Sequence, residues 1–325
     1  NARFGKKDAP AVTANARFCK KDAFTVAANA RFCKNAPLAV AANAMFCKNA
    51  SLAVDANEIF CKSLAFAVEA AALALVRADS QVPCRAMSEL SAAARGFFEQ
   101  GRLLDLAGLR VFVMDTGPVT REDALVLLHG FPSSCLDFHR ILPRLSEGRR
   151  VVLLDFPGFG YSDKPTAHGY SLMEQADGVL MVLRALGVRS MQLVAHDMGT
   201  SVACELLARR ERGLLPVPVT ALVLMNGSVH IELAQLTPSQ KLLGSALGPL
   251  FARLSSRAVF LTQLRRILGR PVPAEDLEDM WALLLLRDGR LRLPQSIFYI
   301  EERRRFWQRW IGALTRLDLP TLILW

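Results

Sequence analysis

Tyrosine and histidine are scarce in this 325-residue chain, with three and five copies. The histidines stand at 129, 139, 168, 196 and 230, and none follows His230. No pair of Cys or His residues has the short spacing of a zinc module, so no metal is expected. The chain has no G-x-x-x-x-G-K-[ST] loop and no G-x-G-x-x-G fingerprint, so neither nucleotide binding nor any other cofactor is expected. The longest apolar stretch near the front, residues 64–76, has 13 residues and is interrupted by Glu69. A spanning helix needs about 20 apolar residues. With no secretory apolar run and cleavage site at the start, a soluble, cytoplasmic protein is the expectation. Scattered Cys84, Cys135 and Cys204 suit a reducing compartment.

What is present divides the chain in two. Apolar residues make up 52% and charged residues 22%, enough core to exclude wholesale disorder. Residues 1–86 carry 12 Lys+Arg against 6 Asp+Glu (+6), and residues 87–325 carry 28 against 24 (+4), together the net +10. Most of the charge therefore belongs to the front, and no nucleic-acid partner is expected for the rest. Residues 1–70 are five copies of a 14-residue unit, from NARFGKKDAPAVTA to NEIFCKSLAFAVEA. Cys19, Cys33, Cys47 and Cys61 are one repeat position copied four times, not a disulfide framework. Fourteen residues is nearly four helical turns, which leaves a stacked array open, but each unit buries little. The alternative is an in-frame tandem repeat giving a low-complexity tail over 1–86, with translation starting near Met87.

From about residue 95 the pattern becomes apolar strands alternating with amphipathic helices. RLLDLA and LRVFVMD around Gly108 predict a hairpin. Strands are predicted at 124–128, 149–155, 191–197, 220–226 and 321–325. Helices are predicted over 133–146, from Ser171 to Leu186 and from Thr200 to Arg210. Ser171 with Glu174 makes a capping box. This alternation predicts an α/β fold whose mostly parallel sheet is covered on both faces. Such sheets place their chemistry at the carboxyl ends of the strands, here Leu128, Asp155, Asp197 and Asn226.

Two of those ends carry motifs. Ala195-His196-Asp197-Met198-Gly199 has small residues two before and two after an apex, which suits a sharp strand-to-helix turn presenting a nucleophile. A carboxylate at the apex attacks carbon directly and forms an ester. The alternative is an Asp that merely caps the next helix. His129-Gly130-Phe131-Pro132 follows another strand. Its Phe131 N–H, with that of Met198, would form a two-donor oxyanion hole. The third segment, DFPGFGYSDKP (155–165), lacks the ending of a phosphate loop.

HGFP, DFPGFGYSDKP and AHDMG, in this order and spacing, resemble the α/β-hydrolase superfamily. The Asp apex resembles its epoxide hydrolase and haloalkane dehalogenase branch. LEDMWALLLLRDG (277–289) and YIEERRRFWQRWIGAL (299–314) are similar to mesoderm-specific-transcript-like hydrolases. The resemblance covers about residues 95–325. It implies a helical cap, about 228–311, inserted in a domain spanning 87–325, and a small apolar substrate, an epoxide or related ester. The Leu/Arg-rich cap helices are expected to pack inward, so membrane-surface association is not favoured. Oligomeric state leaves no mark in the sequence.

By the same resemblance, dehalogenases grip halide with a Trp after the nucleophile and an Asn in the first motif. Met198 and Phe131 stand there and cannot donate from their side chains. Epoxide hydrolases use two cap tyrosines. Tyr161 and Tyr170 lie outside the cap, leaving Tyr299 as the candidate oxygen donor and His230 as a substitute. The acid and the water-activating His of the superfamily follow the cap. Asn226 cannot serve as the acid, and no His follows His230. A C-terminally truncated hydrolase, lacking a Gly-x-x-Asp and a later His, is the expectation.

Overall fold

The computed structural model describes residues 87–325; the repeats, the expected tail at 1–86 and the cysteines at 19, 33, 47, 61 and 84 lie outside the described residues. The described part opens on α1 (Ala92–Gln100), whose cap Ser91 accepts the Ala94 N–H at 3.0 Å. Strands β1 (Arg102–Leu106) and β2 (Leu109–Thr116) form the predicted hairpin. Its turn needs positive φ at Ala107 (58°) and Gly108 (87°), a region glycine enters freely. Next come β3 (Asp123–Leu128), α2 (Leu142–Leu145), β4 (Val151–Leu154), α3 (Leu172–Ala185), β5 (Ser190–His196), α4 (Met198–Glu211) and β6 (Val219–Met225). Six helices then intervene before β7 (Thr321–Leu324): α5 (Pro238–Leu243), α6 (Gly248–Leu254), α7 (Arg257–Ile267), α8 (Ala274–Leu285), α9 (Leu293–Ser296) and α10 (Tyr299–Thr315).

The seven strands make one sheet in the order β1-β2-β4-β3-β5-β6-β7. β2 is antiparallel to β1 and β4, and every other neighbouring pair is parallel. The period of two explains how short strands bury both faces. Val111, Val113, Val126, Val152 and Leu154 join the core under α3 and α4. Phe112, Met114, Leu127, Val151 and Leu153 join the core with Phe97 of α1, Leu136 and Tyr161. The capping box forms as predicted at Ser171 and Glu174.

One predicted helix is broken. Residues 133–146 hold only a 3-10 turn (Cys135–Phe138) and the single turn α2. Pro143 disfavours helix in the residue before it and cannot donate the bond an incoming helix would need. The Cys135 N–H is bound by the Asp155 carboxylate at 2.7 Å instead.

The helices between β6 and β7 do not form a detached layer. α10 runs unbroken past residue 311 to Thr315 and lies along α4. Glu205 of α4 accepts hydrogen bonds from Arg309 (2.7 and 2.8 Å) and Trp310 (2.9 Å) of α10, and from Arg209 (2.9 Å). Burial pushes the Glu205 carboxyl up, but these donors outweigh it and hold it below the ordinary value. Among the described residues no helix is long and apolar enough to cross a membrane.

Candidate active site

β5 runs into α4 with one residue between them, Asp197, at φ 47° and ψ −110°. A non-glycine residue adopts this region only when its surroundings impose it. Here they do. The Asp197 N–H donates to Met225 O at 3.0 Å, which ties the apex to β6. Its carbonyl accepts the Thr200 N–H (3.1 Å), the Thr200 hydroxyl (2.6 Å) and Arg303 Nη2 (3.2 Å). Gly199 lets α4 sit against β3, since a Cβ there would lie 2.8 Å from the carbonyl oxygens of both Leu128 and His129.

The Asp197 carboxylate does not cap α4. Its Oδ2 accepts the Phe131 N–H at 2.8 Å instead. The Met198 N–H is the first of the helix and has no acceptor within it. The helix N-terminus favours the ionised carboxylate. The hydrogen bond brings Phe131 onto Asp197, and Met198 follows the apex as the first residue of α4.

The loop after β3 is aimed by His129 and Gly130. His129 Nδ1 lies 2.8 Å from Gly130 O, and Nε2 accepts the Phe156 N–H at 3.0 Å. That pattern assigns the proton to Nδ1, and burial lowers the imidazole pKa, so His129 is neutral. A Cβ on Gly130 would meet Asp197 Cβ at 2.7 Å and Oδ2 at 3.1 Å, so only glycine allows the approach. The Phe131–Pro132 peptide is cis. Asp155 at the end of β4 spends both oxygens on backbone, taking the N–H groups of Cys135 and Tyr161 at 2.7 Å each. It organises loops rather than facing the site. His196 precedes the apex, and its burial lowers its pKa.

Tyr299, at the start of α10, is buried with its ring 5.5 Å from that of Phe131. Burial and the nearby Asp197 charge push its phenol far up, while Arg303 and a hydrogen bond with Gln240 act the other way. It therefore remains a proton donor across the neutral range. The structure places His230 with its Nδ1 3.1 Å from Glu232 and its ring 5.6 Å from that of Trp307.

Two features escaped the sequence reading. Arg303, buried one turn after Tyr299, stacks its guanidinium 4.6 Å from that ring and donates to Ser201 Oγ at 2.8 Å as well as to the apex carbonyl. The i, i+4 spacing of Tyr299 and Arg303 was the available signal. Asp137 faces a cavity of about 510 Å³ whose wall includes Phe131, Ser133, His196 and Met280 but neither Asp197 nor Tyr299. Among the described residues no group of three or more His, Cys, Asp or Glu is placed to hold a metal.

Residues 123–325 match the family profile of the alpha/beta hydrolase fold. The chain is 43% identical over 238 residues to LipZ of Mycobacterium tuberculosis, named as a candidate hydrolase, covering 72% of this chain and 81% of LipZ. It is 39% identical over 242 residues to the mesoderm-specific transcript protein of Mus musculus, covering 71% and 72%. A Pseudomonas aeruginosa structure described as that of a candidate epoxide hydrolase superposes with a TM-score of 0.59 at 24% identity, over 69% of this chain and 78% of that one. With an Asp-bearing elbow on a seven-stranded mixed sheet, the chain belongs to the α/β-hydrolase family.

Proposed function

We propose that this hydrolase-family chain opens a small apolar epoxide through an alkyl ester formed on Asp197. The carrying observation is the Phe131 N–H bond to Asp197 Oδ2 at a positive-φ apex. One oxygen is held by the hole, so Oδ1 is the attacking atom. The Oδ1–carbon bond forms as the epoxide carbon–oxygen bond breaks, and the opened oxygen takes a proton from the Tyr299 hydroxyl. The phenolate is then reprotonated from solvent. When water later adds to the ester carbonyl, the charge develops on the oxygen already facing Phe131 and Met198. Each such donor contributes about 2.7–4 kcal/mol to lowering that barrier.

The second half needs a base to activate water and an acid to orient it. His129 is committed to Gly130 and Phe156, His139 lies near Leu136 O and Asp276, His168 packs on Tyr170, and His230 lies against Glu232. His196, which directly precedes Asp197 and lines the cavity wall, is the remaining histidine.

The test is incubation with styrene oxide, digestion and mass spectrometry. One added epoxide on the peptide holding Asp197, absent in Asp197→Ala, is the expected result. An adduct that survives the substitution overturns the reading, and no adduct at all points to a binding protein on the same fold. A dehalogenase is the other enzymatic reading. The side chains of Phe131 and Met198 cannot hold a halide, and halide release from a haloalkane would reverse that preference.

A further inference from the structure

The sequence leads one to expect the Leu/Arg-rich helices after β6 to turn their leucines inward. The structure leaves many of them in solvent. Leu247, Leu250 and Leu254, on one side of α6, are 60%, 56% and 71% exposed, and Ile267 at the end of α7 is 62% exposed. Helix α7 follows α6 after only Ser255 and Ser256, so these residues belong to one continuous segment. That segment, residues 241–274, has six Lys+Arg and no Asp or Glu. Arg257 is paired with Glu278, while among the described residues no ion pair is formed by Arg253, Arg265, Arg266 or Arg270. All four of these arginines are exposed.

The same segment walls the cavity. Leu264, Ile267, Leu268 and Val272 line its apolar side, and Ile267 is both wall and surface. Exposed leucines and exposed arginines outside any ion pair, on consecutive helices of which α7 lines a largely apolar cavity, fit one kind of surface. We propose that the α6–α7 face docks on an anionic lipid bilayer and takes its apolar ligand from there into the cavity. The leucines enter the acyl boundary while the arginines meet headgroup phosphates, the arrangement of interfacial amphipathic helices. The inference rests on this surface and not on the chemistry at Asp197.

The full 325-residue chain should be sedimented with phosphatidylcholine vesicles, with and without phosphatidylglycerol, at low and high salt. Binding is expected to the anionic vesicles at low salt, falling with salt and weak on phosphatidylcholine alone. R265E/R266E should weaken binding by on the order of tenfold or more. L250S/L254S should weaken it on the order of tenfold, with an unchanged melting midpoint because both sites are in solvent. Absence of binding to anionic vesicles overturns the proposal. So does binding that neither double substitution changes, which would place the contact on residues 1–86. A dimer in solution that L250S/L254S dissolves would assign the face to a second copy and overturn it as well.

Discussion

At the carboxyl ends of β3 and β5 the chain is held by its own backbone and by missing side chains. The Asp197 N–H is satisfied by β6 and its C=O by Thr200 and Arg303, the Gly130 carbonyl and the His129 ring are satisfied by neighbouring loop groups, and Gly130 and Gly199 admit contacts that any Cβ would block. The helices between β6 and β7 are held differently, by long side chains reaching across the fold. Arg309 and Trp310 bind Glu205, Arg140 binds Asp276, and Asp279 takes the Ser91 N–H and hydroxyl at 2.8 and 2.6 Å. The first kind of restraint fixes atoms for chemistry. The second fixes where a helical layer sits while leaving much of its surface open.

The comparison breaks hardest at Glu205. Its side chain is almost fully buried among two guanidiniums and an indole N–H. Glu205→Ala leaves those groups without their acceptor, and removing one partner of a buried pair costs about 3–5 kcal/mol. Urea unfolding should show a loss of that size, accompanied by displacement of Tyr299 and Arg303 on the same helix α10. A loss below about 1 kcal/mol would mean that apolar packing, not this hub, seats α10.

Gly199→Ala tests the other kind of restraint. The new methyl would sit 2.8 Å from two backbone oxygens that cannot swing away. Overpacking of this sort costs about 1–3 kcal/mol. The larger consequence is chemical, because moving α4 off β3 moves the Met198 N–H relative to Asp197. Adduct formation with styrene oxide should fall well before the fold melts. A variant that alkylates at the parent rate would show that the elbow tolerates movement.

The two kinds of restraint were not equally legible in the sequence. Phe131 and Asp197 could be paired from their motifs because β3 and β5 are neighbours and each motif sits at a strand end. The hairpin, the capping box and the strand order of apolar runs are local signals, and local signals survive folding. Glu205 with Arg309, and Ser201 with Arg303, are separated by 104 and 102 residues and depend on how α10 docks, which no local pattern encodes. The helix expected over 133–146 failed at Pro143, which has no N–H to donate and disfavours helix in the residue before it, a local signal that the spacing of the apolar residues overrode. The leucine and arginine content of the helices after β6 is likewise plain in the sequence, but it does not say whether another element covers those leucines.

The smallest expected effect lies at Asp137, where the two regions meet in the cavity wall. The residue is exposed toward the cavity, so solvent screens it and the stability effect of its raised carboxyl is far below that of a fully buried group. Burial pushes its carboxyl up to about 7, against the lowering effect of the Ser133 hydroxyl and with help from the charges of Asp155 and Asp197. An unfolded Asp titrates near ~3.9. Between those values the folded chain binds more protons at this site than the unfolded chain, so stability falls as pH rises through that window. Above about 7 both states are ionised and this loss is complete. Lys164 acts in the opposite sense and in a different range. Burial and the Arg287 charge lower it to about 7, so stability is gained as pH climbs from there toward the unfolded lysine value of about 10.4. Subtracting the melting curve of Asp137→Asn from that of the parent cancels Lys164, which both share. The substituted chain should match the parent near pH 4 and exceed it by a few degrees or less at pH 8. A difference that stays constant across that range would show that the Asp137 carboxyl is ordinarily solvated. The cavity would then be open water on the insertion side rather than an apolar chamber between the two regions.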